Sequence, residues 1–160
     1  MPDDEKTLLL RHTLATLAYR AGKALRSAPP EFAGFEAGPQ TRTPGQILAH
    51  LGDLLDWAWT LADGNQKWKD SPAVAWDAGV DRFFAALEKL DQRLASGEPL
   101  GSPAEKLFQG PIADSLTHVG QIAMLRRLAG SPVRGENYLV AEVSAGRVGT
   151  DQAAPRREFD

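Results

Sequence analysis

The sequence predicts an all-α protein, a four-helix bundle with a long crossover connection and an irregular C-terminal strap. Three observations carry that expectation. Start and stop signals bracket four runs of helical spacing that together take up more than half of the chain, well above the usual third. No stretch of comparable length shows the period-two alternation of a strand. The chain has 160 residues, a length that suits one domain, 1–160, with 131–160 as its tail.

Acids at Asp3 and Asp4 open the first run, which extends to about Ala28 and is halted by Pro29-Pro30. Thr43-Pro44 is an N-cap followed by proline at the first helical position; it opens a second run that closes at Asp63 before Gly64-Asn65. Ser71-Pro72 repeats that start, and a long third run reaches Ser96 before Gly97. Gly110-Pro111 opens the fourth, which ends at Gly130 with Arg126 and Arg127 in its last turn, where cations favour the dipole. The connections 29–43 and 97–110 read as Pro/Gly-rich loops, the second with a short helical turn around Pro103–Phe108. Beyond Ser131 helical spacing dissolves, and the strap is expected to pack back through Tyr138, Leu139, Val140 and Phe159.

Composition narrows the chemistry. There is no cysteine, which excludes a disulfide scaffold, a zinc ribbon and a catalytic thiol, so any metal must be held by His, Asp or Glu. Lys and Arg number 18 against 21 Asp and Glu, a net charge of −3 that argues against nucleic acid as a partner. No apolar run approaches the roughly 20 residues that span a bilayer. The opening Met1-Pro2-Asp3-Asp4 lacks the positive flank and apolar core of a signal peptide, so the expected location is the cytoplasm.

At about 100° per residue, each run becomes a wheel. On the first, Leu10, Leu14, Leu17, Ala21 and Leu25 form a narrow stripe and His12 points the opposite way, toward solvent. On the third, Trp76, Val80, Phe83, Leu87, Leu90 and Leu94 make an ordinary core face. The second differs: His50 falls inside the apolar arc of Ile47, Leu51, Leu54, Trp57, Ala58 and Leu61, with Asp53 at its edge. On the fourth, Asp114, His118, Gln121, Leu125 and Leu128 share one stripe, while Ile112, Leu116, Val119 and Ala123 form another. A helix with two such stripes is a central one, so the polar stripe is expected to face protein. Gly120 would then admit the close approach of a neighbouring backbone.

The two inward faces bring together His50, Asp114 and His118. Asp114 and His118, four apart, stack on one helix face. Two imidazoles and a carboxylate on facing helices are a ligand set for a divalent ion with open positions. Gln121 and Asp53 would orient those ligands from behind. The same residues also suit a metal-free polar network in which Asp114 pairs with His118, and spacing alone leaves both readings open.

Further motifs add a family. They are Arg42-Thr43-Pro44, His50 within Ile47-Leu48-Ala49-His50-Leu51, Thr117-His118-Val119-Gly120-Gln121-Ile122 running into Leu125-Arg126-Arg127-Leu128-Ala129-Gly130, and the tail from Gly135-Glu136-Asn137-Tyr138 through Gly146-Arg147-Val148-Gly149 to Pro155 and Phe159. In these the chain resembles the DinB-like superfamily of metal-binding four-helix bundles. The resemblance implies one histidine midway along the second helix and an H-x-x-x-H pair on the fourth, holding nickel, zinc or a similar ion. His50 and His118 match; the middle position is Asp114, which leaves a set that still suits zinc, nickel, iron or manganese but is harder and less nickel-like. Relatives in that superfamily are S-transferases and an isomerase that use low-molecular-weight thiols. A Cys-free chain is compatible with them, because the thiol would be borrowed.

The expected function is therefore a divalent-metal-binding protein acting on a small-molecule substrate, as a thiol-dependent S-transferase or a hydrolase. Arg126 and Arg127 are its candidate anion contacts. The alternative is a non-enzymatic bundle acting through association. Four tryptophans and the two apolar stripes of the last helix also suggest a homodimer.

Overall fold

The computed structural model describes residues 4–159. Its helices are α1 (Glu5–Leu25), α2 (Pro44–Ala62), α3 (Trp76–Ala95), the single turn α4 (Ala104–Leu107) and α5 (Ala113–Leu128). Helices α1, α2, α3 and α5 form the four-helix bundle, with α2 packed most extensively on α3, and α5 laid against both α1 and α2. Among the described residues there is no strand, only one antiparallel bridge between Glu136 and Glu158. None of the described helices is long and apolar enough to cross a membrane.

Local chemistry sets two of the helix starts as expected. The Asp4 side chain accepts from the Thr7 N–H at 2.8 Å and so takes up one free donor of α1. Thr43 and Gln46 form a full capping box on α2: the Gln46 N–H donates to Thr43 Oγ1 at 3.2 Å, and the Thr43 N–H to Gln46 Oε1 at 2.9 Å. The helical turn expected around Pro103–Phe108 is α4.

Two starts differ from the sequence reading. Ser71-Pro72 does not open the third helix, because the Ser71 N–H donates to Asp53 Oδ2 at 2.8 Å and the chain stays irregular until Trp76. No side chain caps α3 at Ala75; its start is set by burial of Trp76, 5 % exposed, edge-on to Phe32 with ring centroids 5.3 Å apart. Gly110-Pro111 does not open the last helix either. Helix α4 runs into a π-helical turn, Phe108–Ile112, which contains Pro111 and leads directly into α5. The wider turn accommodates the ring and the missing N–H of a proline that an α-helix interior would not.

The core is mainly aliphatic, with Phe32, Trp76, Phe83 and Phe84 as aromatic members. Leu14 and Leu17 of α1, Leu51 and Leu55 of α2, Phe83, Leu87 and Leu90 of α3, and Ile122 of α5 are all under 2 % exposed. Burying each contributes about 1.5–3 kcal/mol. Helices α2 and α3 approach closely because Gly79 has no side chain: a Cβ there would stand 2.8 Å from Leu48 Cδ2. Polar links fix the neighbouring pairs. Arg11 on α1 forks onto Asp91 on α3 at 3.0 and 3.1 Å, and Arg82 on α3 reaches Asp53 on α2 at 2.7 Å.

The strap is held differently from the expectation. Leu139 is 91 % exposed, and Val140 and Phe159 are also exposed, so these apolar side chains do not anchor it. Buried Glu136 does so instead, accepting from the Tyr19 hydroxyl and from Lys23 Nζ at 2.7 Å, while Lys23 also donates to Glu158 at 2.8 Å. Val148 is buried in the core, and Tyr138 stands edge-on to Tyr19 under the Arg20 guanidinium. A tail without a periodic apolar face is thus tied down by a charged network that periodicity does not reveal.

Candidate metal centre

Helices α2 and α5 bring His50, Asp114 and His118 to one point, with one nitrogen or oxygen of each within 4.8 Å of the others. His50 Nε2 lies 3.6 Å from Asp114 Oδ2, and His118 Nε2 lies 3.3 Å from the same oxygen. The imidazoles meet at right angles with centroids 4.8 Å apart. His118 Nδ1 is 2.7 Å from Gln121 Oε1. Since that oxygen can only accept, Nδ1 is the donor in this contact, and Nε2 is the nitrogen turned toward Asp114.

The π turn bears on this placement. It lies just before Asp114, and a widened turn there rotates α5 relative to α4, so that Asp114 and His118 face α2. Gly110 within it lies against the ring of Trp57, whose Nε1 is buried without a hydrogen-bond partner among the described residues. Trp68, from the loop after α2, stands edge-on to both His50 and Trp57 with centroids 5.7 Å away in each case. His50 is thereby partly enclosed. Burial, then the neighbouring His118 imidazole and the Arg42 charge, push its pKa below the ordinary 6.5, against the opposing pull of Asp114. A neutral His50 at pH 7 keeps a lone pair free for coordination.

The donor set fits a divalent ion. Neighbouring ligands on one ion at about 2.0–2.2 Å stand about 3–3.5 Å apart. The 3.3 and 3.6 Å separations from Asp114 match that spacing, and a small inward swing of the imidazoles closes the set. The Asp114 side chain is 46 % exposed, so one face of the cluster stays open. His50 and His118 also stand, with Gln121, in the wall of a cleft of about 790 Å³ between α2 and α5.

The other expected contributors separate. Gln121 stands behind His118, where the sequence reading put it. Asp53 does not: it is buried, with one oxygen on Arg82 and the other on the Ser71 N–H. Arg126 is no anion contact, since it is 4 % exposed and its guanidinium donates to the carbonyls of Ala24, Arg26 and Ser131. It closes the C-terminus of α1 against that of α5. Arg127 is exposed and outside the cleft wall. The polar stripe of α5 faces packed protein only in part: Leu125 is buried, whereas Gln121 is exposed in the cleft wall, Leu128 is 60 % exposed, and a Cβ on Gly120 would meet nothing within 4 Å. His12 is exposed, as its wheel position requires.

Sequence reasoning missed two residues here. Arg42, before the N-cap of α2, lines the cleft beside His50, and Trp68 covers the other side of the imidazole. Both come from loops, to which no helical wheel extends. Comparison of the chain with protein-family models, with characterised proteins and with solved structures finds no match.

Proposed function

We propose that this chain is a divalent-metal-binding protein of the DinB-like kind, with His50, Asp114 and His118 as the ligands and a small-molecule substrate entering by the cleft. The observation that carries this reading is the convergence of two imidazole Nε2 atoms on one carboxylate oxygen at 3.3 and 3.6 Å, with both imidazoles in the wall of a cleft. Zinc, nickel, iron and manganese all suit such a set. When bound, the ion supplies a Lewis acid that lowers the pKa of a water or of a thiol brought by the substrate, the chemistry of a hydrolase or of a thiol-dependent transferase. The chain's own residues do the rest: Gln121 orients the His118 ring, Trp68, itself edge-on to Trp57, covers one side of His50, and Asp114 would offset part of the ion's charge.

Elemental analysis of untagged protein tests this, together with thermal unfolding in added zinc, nickel or manganese. About one equivalent of metal and a raised midpoint are expected, both lost in His50→Ala and His118→Ala. Protein without metal, and without any shift, rejects the reading.

A second reading is a bundle that acts through association, with Asp114–His118 as a local polar pair. Its support is the apolar groove between α1 and α4, where Leu9 is 67 % and Phe108 46 % exposed. Sedimentation at micromolar concentration decides: a dimer abolished by Leu9→Lys supports it, and a clean monomer removes it.

A further inference from the structure

The cleft that opens on the candidate metal centre has two more features that the ligand set does not use. One is a guanidinium. Arg42 lines it, stands close enough to His50 for its charge to bear on the imidazole, and makes no hydrogen bond or ion pair among the described residues. The two carboxylates that line a pocket with it are already engaged: Asp53 by Arg82 and Ser71, and Asp70 by the Trp68 indole N–H at 3.1 Å. The other is an apolar wall of Ile47, Met124 and Leu125. Met124 is 58 % exposed there, an unbranched, adaptable side chain turned to solvent where the rest of α5 would bury it.

We infer that the cleft is an acid-binding site, in which a small molecule seats its carboxylate on Arg42 and its apolar stem along Ile47, Met124 and Leu125, directing its far end at His50, Asp114 and His118. The inference rests on the metal-centre reading for what happens at that far end, and on Arg42 for the anion. A cleft of about 790 Å³ has room for such a molecule, within the usual range for small ligands. One guanidinium presents a planar fork that matches one carboxylate. A phosphate would bring a second negative charge toward Asp53 and Asp70, which line a pocket with Arg42, with no further Lys or Arg in either wall to meet it.

The probe is hexanoate, with hexanamide and hexyl phosphate for comparison, added to metal-free protein at low salt. The readout is the Met124 methyl resonance, one of only two methionine signals in the chain. Hexanoate is expected to shift it saturably and to bind at least fivefold more weakly to Arg42→Gln, with Arg42→Lys between them; hexanamide should bind weakly and equally to all three. Arg42 is exposed and outside every helix, so unchanged circular dichroism and unfolding midpoint are expected for both variants. Equal hexanoate affinity in Arg42→Gln, equal affinity of the parent for hexanoate and hexanamide, or tighter binding of hexyl phosphate would each overturn the assignment. Zinc titration of the same samples keeps the two readings apart. Hexanoate binding without zinc binding retains the acid site and removes the metal centre, whereas zinc binding with an Arg42-independent hexanoate response does the reverse.

Discussion

Gln121 holds His118 by its Nδ1 at 2.7 Å, so that the opposite nitrogen of the ring is presented to Asp114. The pair lies three residues apart on α5, one turn of helix, and a partner so placed sets both the tautomer and the orientation of the imidazole. Gln121→Ala is expected to lower zinc affinity about 10–100-fold while leaving the unfolding midpoint of the metal-free protein unchanged, because Gln121 is exposed. Competition with a chromophoric chelator measures it. An unchanged affinity would mean that the ring is oriented by other contacts.

Arg126 and Arg127 are adjacent arginines with opposite fates. Arg126→Ala removes donors from the carbonyls of Ala24 and Arg26 and from Ser131. At about 1–3 kcal/mol for each buried group left unpaired, and with water reaching some of them, a loss of about 2–4 kcal/mol is expected in urea titration. Arg127→Ala should stay within about 0.5 kcal/mol of the parent. Zinc affinity should change in neither.

Arg82 ties the loop that carries Trp68 to the bundle, through Asp53 and from there to Ser71. Its guanidinium passes over Gly52, where a Cβ would stand 2.8 Å away. Arg82→Met leaves Asp53 buried with only the Ser71 N–H. A loss of about 2–4 kcal/mol is expected, somewhat below that for a fully buried pair because Arg82 is partly exposed. Faster hydrogen exchange at Ser71 and a red-shifted Trp68 emission should accompany it.

Stability should fall in acid through the strap. The Lys23 hydrogen bond, together with the Lys23, Arg134 and Arg26 charges, holds the Glu158 carboxyl below its ordinary 4.5, against a smaller opposing effect of desolvation. A depressed acid contributes stability above its unfolded pKa and loses it as pH falls through the folded value. At the alkaline end, burial pushes Lys23 down, but its hydrogen bonds and charge pairing with Glu136 and Glu158 raise it above 10.5 overall. Its contribution is complete below that value and disappears as pH rises through the folded pKa. Glu158→Gln is therefore expected to flatten the midpoint-against-pH curve below about pH 4.5, and to shift the alkaline loss to lower pH. Thermal unfolding from acid to alkali checks both limbs.

The bundle and the grouping of His50, Asp114 and His118 were legible in the amino-acid order because their signals are local. A capping box at Thr43 and Gln46, a stripe such as Leu10, Leu14 and Leu17, and an Asp114–His118 spacing of four each act within a few turns of one helix, whatever surrounds them. The starts of α3 and α5 were misread where a local signal was overruled by a distant partner or a change of helix type: Asp53 captured Ser71, and the turn before α5 widened around Pro111. What only the tertiary structure decided is how elements far apart in the chain meet. The α2–α5 pairing turns part of the polar stripe of α5 toward a cleft, the loops bring Arg42 and Trp68 to His50, and Arg126 is consumed by the end of α1. These placements depend on which surfaces compete for burial and on where a loop must run to close. Neither is encoded in the spacing of residues along one helix.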